Sequence, residues 1–425
     1  MATTKKASVD TLDNKTIRVR MYRVGFGDCF LISLPSTSGE GHKHILVDCG
    51  VHTKGNLDMI DQAVDHIGST TDNKLAIVIA THSHQDHISG FSDKFTGFEI
   101  DEVWLPWCED PKDKQAAKLQ KKHAALAENL SHHFAAQLRA TKRTTKSRAA
   151  ATAAVANLVQ NKKALTLLRT GFGVNAKVRY LEAGDSLDAP AGIKGLSVNV
   201  LGPPRDQEFL AKMDPPEGQR YLRLDGSRTE AINVLQPFPQ KWQMDVKAPE
   251  LAGIRLSDVE QKLFKNELSD ASLDGLAFAL DKAKNNTSLV TLIAFRGQHL
   301  LFPGDAQYGN WKAWLDKDDA EAILASVSFL KVAHHGSHNA TPKDALERMS
   351  TGKFAAMVST QNVPWDSIPR MPLMTRLEEQ TKNRVVRSDS LPLKERPKAP
   401  KGPVIEKLPT GFRQGDFWYD YLIKL

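Results

Sequence analysis

Residues 81–87 read Thr-His-Ser-His-Gln-Asp-His, directly after the apolar run Leu75-Ala76-Ile77-Val78-Ile79-Ala80. That run is short, continuous and rich in β-branched residues, so it reads as a buried strand rather than a helix. His82, His84, Asp86 and His87 therefore sit within six positions on the loop that leaves a buried strand. There they can converge on one point without disturbing the sheet. Imidazole nitrogens and a carboxylate at this density are the ligand set of zinc or a similar first-row ion.

Two later segments have the same design. Leu300-Leu301-Phe302-Pro303-Gly304-Asp305 is an apolar strand that ends in Gly-Asp. Phe329-Leu330-Lys331-Val332-Ala333 is an apolar strand that runs into His334-His335-Gly336-Ser337. Each delivers ligand-type side chains at a strand end, and three such motifs in order are far more specific than any one of them.

Around these motifs, extended segments are expected at Thr16–Val24, Asp28–Leu34, His44–Val47, Glu102–Leu105, Lys177–Leu181, Leu196–Leu201, Ser288–Phe295 and Ala355–Ser359. Helical spacing is expected over Asn56–Ile67 and Tyr308–Ala325. Residues 111–170 differ in character. They are rich in Ala, Lys, Leu and Gln, have no Gly or Pro after Pro111, and read as two or three helices. This stretch carries 13 basic and 2 acidic residues, a net +11 against +7 for the whole chain, so the remainder is −4. The positive charge is local, as in a basic helical insertion. A second irregular insertion is expected over 203–284, and a Pro- and Lys-rich tail from 391 to 425 is expected to wrap the surface.

The length of 425 residues suits one large domain with an ample core. Cys29, Cys49 and Cys108 are too few and too irregularly spaced for a disulfide scaffold and read as free thiols in a reducing compartment. Met1–Lys15 is polar, and no stretch approaches the roughly 18–20 apolar residues of a membrane helix. A cytoplasmic chain without membrane contact is the expectation.

The series of motifs resembles the metallo-β-lactamase superfamily. Within it, the chain resembles the hydrolase domain of the competence DNA-uptake channel and its stand-alone relatives. The likeness rests on Val24-Gly25-Phe26-Gly27-Asp28, Ile45-Leu46-Val47-Asp48-Cys49-Gly50, the His82 motif, Val200-Leu201-Gly202-Pro203-Pro204, Asn285-Asn286-Thr287-Ser288-Leu289-Val290, Gly304-Asp305 and His334-His335-Gly336-Ser337. It covers the chain from about residue 17 to residue 390 outside the two insertions.

The resemblance implies an α+β fold, an αββα sandwich of four layers with metals at one edge between the sheets. By that pattern His82 and His84 hold a first ion, Asp86 and His87 a second, and Asp305 bridges both. His335 completes the second ion, and His334 faces the substrate. Asp48 braces the metal loop from behind, and Asn285 and Ser337 support the site through hydrogen bonds. The ions expected are one or two Zn²⁺, with Mn²⁺ as the alternative.

One position departs from the pattern. Relatives carry a metal-binding histidine in a Leu-His-Pro context where this chain reads Leu201-Gly202-Pro203. The first ion then has one protein ligand fewer, and takes an extra water, borrows a histidine such as His338, or binds weakly.

An ion in such a site lowers the pKa of a water from about 15.7 to about 7. Asp86 and Asp305 are then the candidates to orient it, and His334 to meet the substrate. The leading expectation is a phosphodiesterase or nuclease, because the basic insertion follows the metal loop and could attract a polyanion. Lys112, Lys114, Lys118, Lys121 and Lys122, together with His338, are the candidate substrate contacts, and Phe134 and Phe172 the only nearby aromatics for base stacking. Two alternatives stand beside it. A small-molecule ester or lactone hydrolase predicts that the insertions close into a narrow pocket. A degenerate binding or regulatory protein predicts that they dock a protein partner.

Overall fold

The computed structural model describes residues 12–36, 41–52, 57–141, 146–159, 161–221, 270–361, 368–390 and 407–425. In chain order the first sheet takes β1 (Thr16–Tyr22), β2 (Cys29–Pro35), β3 (His42–Cys49), β4 (Lys74–Ile79), β5 (Glu99–Pro106) and β6 (Lys177–Leu181). The second takes β7 (Ser186–Asp188), β8 (Leu196–Gly202), β9 (Val290–Phe295), β10 (Gln298–Phe302), β11 (Phe329–Lys331), β12 (Ala355–Val358) and β13 (Val385–Arg387). The last strands, β14 (Phe412–Gln414) and β15 (Trp418–Lys424), return to the first sheet. The orders are β14-β15-β1-β2-β3-β4-β5-β6 and β13-β12-β11-β10-β9-β8-β7.

Side-chain alternation sorts these strands into layers. On β2, Phe30, Ile32 and Leu34 point to one side and Cys29 and Leu31 to the other. The first set meets Val198, Ile293, Phe295, Leu300, Phe302 and Met357 of the second sheet in one buried cluster, so the sheets lie face to face. The far face of the first sheet packs on α1 (Leu57–Thr71) through Ile60, Val64 and Ile67. The far face of the second sheet buries Leu292, Leu301 and Leu330 under α8 (Tyr308–Leu315), α9 (Ala320–Ser326), α10 (Lys343–Arg348) and α11 (Met371–Thr381). The result is the expected αββα sandwich. Each fully buried Leu, Ile, Val or Phe stabilises it by about 1.5–3 kcal/mol relative to exposure.

The helix expected over Tyr308–Ala325 is two helices, broken at Asp316–Asp319. The basic stretch forms three: α3 (Lys114–Thr141), α4 (Lys146–Val159) and α5 (Lys162–Arg169). Of the second insertion, α6 (Gln207–Ala211) and α7 (Asp270–Asn285) are described, while residues 222–269 lie outside the described residues. The two insertions share a small core of their own, where Ala127, Leu130 and Phe134 of α3 and Ala151 and Val155 of α4 meet Leu273, Ala277 and Leu280 of α7.

Of the tail, residues 391–406 lie outside the described residues. Beyond them β15 pairs along the whole of β1, and Arg20 is buried between Asp420 and the Trp418 ring. The three cysteines are free and buried. No helix among the described residues is long and apolar enough to cross a membrane.

Candidate metal centre

In each sheet one run of neighbouring strands is parallel: β3, β4, β5 and β6 in the first, and β10, β11, β12 and β13 in the second. Their carboxyl ends fall together at one edge, where open parallel sheets present their ligands. Asp48 ends β3, the His82 loop and short α2 (Gln85–Ile88) follow β4, Asp305 follows β10, His334 and His335 follow β11, and Ser359 follows β12.

Close backbone approach sets the loop. A Cβ on Gly50 would lie 2.4 Å from the backbone nitrogen of His87, so only glycine lets the Asp48-Cys49-Gly50 turn reach the metal loop. Asp48, His334 and His335 hold left-handed backbone conformations (φ 54°, 46° and 53°). Such conformations cost about 1–3 kcal/mol each and persist where surrounding contacts over-determine them.

Three of the expected histidine ligands have one nitrogen tied to a partner outside the cluster. His87 Nδ1 is 2.8 Å from Asp48 Oδ2, and His335 Nδ1 donates to the Ser359 carbonyl at 2.8 Å. His82 Nδ1 is 3.2 Å from Thr81 Oγ1, whose own proton goes to Asp48 Oδ2. These partners place the proton of a neutral ring on its outer nitrogen and leave the inner nitrogen with a lone pair. The inner atoms then crowd together. His82 Nε2 is 3.0 Å from His84 Nδ1, His87 Nε2 is 3.1 Å from Asp305 Oδ2, and His335 Nε2 is 3.2 Å from Asp86 Oδ2 and 3.5 Å from Asp305 Oδ2. His87 Nε2 and His84 Nε2 are buried with no hydrogen-bond partner among the described residues. Acceptors facing acceptors at these distances need cations or protons between them. Asp86, His87, Asp305 and His335 bring one ligating atom each within 4.8 Å of one another, all four residues buried. The donor set fits a divalent ion of the zinc or manganese kind.

Electrostatics favour the ligating forms of several groups. Burial, reinforced by His87 and His84, holds His82 well below the ordinary imidazole value, and burial brings His84 down to about 3. Burial alone would raise Asp86 and Asp305. The neighbouring His335 and His87 outweigh it for Asp86, and His87 and Lys331 for Asp305, so both stay well below the usual carboxylate range. Burial opposes protonation of His87 as well, but Asp305 and Asp48 win and hold that ring above its usual value. An ion bound there displaces that proton.

The neighbours of Asp305 divide its two oxygens. Oδ1 accepts from Lys331 Nζ at 3.1 Å and from the His334 backbone N–H at 3.1 Å, so Oδ2 is the oxygen that faces the histidines. Lys331 also pairs with Asp28. A lysine in the otherwise apolar Phe329–Val332 run is the sequence signal of this buried counter-charge, and a reading by motifs passes over it.

The expected site residues do not all meet. His334 lines the cavity above the cluster, with Nε2 3.3 Å from Asn285 Nδ2, whereas His335 is inside the cluster. Ser337 donates to Asn339 Oδ1 at 2.9 Å, and both line the cavity, as does His338. Lys112, Lys114, Lys118, Lys121 and Lys122 are exposed and none lines the cavity. Phe134 and Phe172, the aromatics expected nearest to a nucleic-acid path, are 3% and 2% exposed. They are core residues of the insertion and of the α1 layer, and cannot stack on bases.

Both insertions reach the metal loop through residues that belong to no recognisable motif. Asn157 of α4 accepts from the Gln85 backbone N–H at 2.9 Å and donates to Asp86 Oδ1 at 3.1 Å. Asn161 donates to the Ser83 carbonyl at 2.7 Å. Buried Glu109 accepts from Ser83 Oγ at 2.9 Å and is held by Arg169 at 2.8 Å and by Lys284. Asp281 of α7 stands 3.5 Å from His84 Nε2. Together with Phe26, these two helices wall a cavity of about 130 Å³ that opens onto His84, Asp86 and Asp305.

No family model and no curated protein matches the chain. Among solved structures, a beta-lactamase domain protein from Burkholderia ambifaria is similar at 18% identity and a TM-score of 0.24, over 47% of this chain and 49% of that one. The chain thus spans about half the length of that structure, and so slight a likeness identifies neither family nor activity.

Proposed function

We propose that the chain is a metal-dependent hydrolase of the metallo-β-lactamase type, acting on a small phosphodiester. One observation carries the reading: the ligating atoms of Asp86, His87, Asp305 and His335 lie within 4.8 Å of one another at one sheet edge, His82 Nε2 and His84 Nδ1 face each other at 3.0 Å beside them, and the outer nitrogens of three of these rings are tied down behind. A bound divalent ion supplies Lewis acidity and an activated water there.

The residues of the chain do the rest. Asn157 occupies Asp86 Oδ1, which leaves Oδ2 toward the cluster. Lys331 occupies Asp305 Oδ1, which leaves Oδ2 to ligate or to take the proton of an attacking water. Burial lowers His334 to about 4, so it is neutral at pH 7. Asn285 Nδ2 donates to its Nε2, which sets the ring proton on the buried Nδ1 and fixes the ring at the cavity wall. Asp86 and Asp305 face the cavity, and burial beside these two carboxylates holds Asp281 well above the usual carboxylate range, so an anionic ester is admitted only when cations offset the carboxylates.

Cavity size favours a small diester over a polymer, because α4 and α7 wall a space of about 130 Å³. A nucleic-acid substrate is the second reading, favoured by the exposed lysines of α3. The test is metal content of the purified chain, read with hydrolysis of bis-p-nitrophenyl phosphate under zinc, manganese and magnesium. Bound metal with diester turnover is the expected result. A metal-loaded chain inactive on diesters shifts the reading to a carboxylic ester or lactone, and a chain that takes up no metal overturns it.

A further inference from the structure

Among the four expected histidine ligands, His84 is the exception. Its Nδ1 faces His82 Nε2 at 3.0 Å, as an inner nitrogen does, but its outer nitrogen, Nε2, has no hydrogen-bond partner among the described residues although the residue is 1% exposed. A buried ring nitrogen left unpaired carries the cost of its lost hydration. The acceptor that faces it is Asp281, with Oδ1 3.5 Å away. A closure of a few tenths of an ångström makes that contact a hydrogen bond of ordinary length.

Asp281 is held for this role by helix spacing. Phe278, Asp281 and Asn285 recur at i, i+3 and i+7, one stripe of α7, and all three line the cavity. Asp281 faces His84 while Asn285, four residues on, reaches His334. The helix itself is pinned at its end by the Lys284–Glu109 pair and along its side by the core shared with α3 and α4.

We infer that Asp281 is the positioning residue of the His82–His84 half-site: it fixes the proton of His84 on Nε2 and so turns Nδ1 toward an ion, as Asp48 does for His87. The inference rests on the metal-binding reading above. Asp281 stands outside the four-residue cluster, as His82 and His84 do, and its Oδ1 meets the outer nitrogen of His84 rather than the inner one that faces His82. The half-site that lacks a histidine at position 202 is thereby braced from the second insertion, outside the sandwich.

The test uses the full chain, stripped with a chelator and titrated with Co²⁺ and with Zn²⁺, following stoichiometry, affinity and the visible Co²⁺ bands. Asp281→Asn and Asp48→Asn are compared with wild type, and folding is checked by circular dichroism and thermal melting. The expected result is a split: Asp281→Asn weakens one ion about 10–100-fold with its band intensity kept, Asp48→Asn, which reaches His87 directly and His82 through Thr81, weakens both, and Asp281→Glu restores part of the loss. Equal affinities in wild type and Asp281→Asn overturn the inference while the metal reading stands. So does loss of both ions from a folded Asp281→Asn chain. A changed Co²⁺ band intensity in Asp281→Asn makes Asp281 a direct ligand and overturns the positioning role. A wild type that binds neither ion removes the metal reading itself.

Discussion

A Cβ built on Gly202 would lie 1.8 Å from Oδ1 of Asn310. Asn310 is fully buried and donates from Nδ2 to the carbonyls of Asn286 at 3.1 Å and Ser288 at 2.8 Å, which ties α8 to the turn before β9 beside the end of β8. The missing histidine is therefore not an empty place waiting for a side chain. We expect Gly202→His to lower stability by about 1–3 kcal/mol or more through overpacking, without adding an ion. Shortening the clashing side chain in the Gly202→His/Asn310→Ala double variant should recover part of that stability, so the two changes couple rather than add. Urea midpoints of the four chains in this cycle check it.

The three strand-end motifs were legible because their chemistry is local: apolar run, then ligands, within a dozen residues. Asp48, Asp86, His87, Asp305 and His335 meet where parallel strands end, and strand direction follows from motif order. What was not legible is the roof. Asn157, Asp281 and Lys284 lie on helices whose sequences read only as alanine-rich or irregular, and their partners are up to 197 residues away, as His84 is from Asp281. A solvated lysine-rich helix and one buried on two sides have similar composition. Ala151, Ala153 and Ala154 of α4 are small enough for close approach on both sides, a packing fact with little periodic signature.

Asp305→Ala should abolish diester hydrolysis, by about 10³-fold or more, since several kcal/mol of transition-state stabilisation pass through its carboxylate. The variant should still fold, because Lys331 keeps Asp28 as a buried counter-charge. Steady-state rates on bis-p-nitrophenyl phosphate, with thermal melting as the folding control, decide the matter. Turnover retained in the variant would count against a shared role for this carboxylate.

Glu109 joins the two insertions to the metal loop. Burial alone would raise its carboxyl, but Lys284 and Arg169 outweigh burial and hold it below the usual value. Glu109→Gln leaves two cations facing an amide, and we expect destabilisation toward the lower end of about 3–5 kcal/mol, since Arg169 is still partly hydrated. The depressed carboxyl stabilises the fold above its unfolded pKa of about 4.3, and this contribution is lost as pH falls through the lower folded value. Burial alone would lower Lys284, but Glu109 outweighs it and holds the amine above the ordinary lysine value, so its contribution is present below the unfolded pKa of about 10.4 and lost as pH rises through the folded one. The stability gap between wild type and Glu109→Gln should thus be flat around neutrality and close in acid. Denaturant midpoints across pH would expose a wrong assignment as a gap that does not narrow.

Removing residues 111–170 to test for polyanion binding would also remove Asn157, Asn161 and Arg169, and with them the support of the metal loop. Substitution of Lys112, Lys114, Lys118, Lys121 and Lys122 by glutamine separates the two effects, because all five are exposed and outside the cavity. A small diester never touches that surface, so kcat/KM on bis-p-nitrophenyl phosphate should stay within about twofold, less than about 0.5 kcal/mol. If α3 attracts nucleic acid, oligonucleotide binding should weaken, and its salt dependence should flatten by about 0.7 for each single-strand phosphate no longer neutralised. An unchanged salt slope would assign the +11 of this segment to solvation of a helix whose inner face holds the site together, and would leave the small diester as the substrate class.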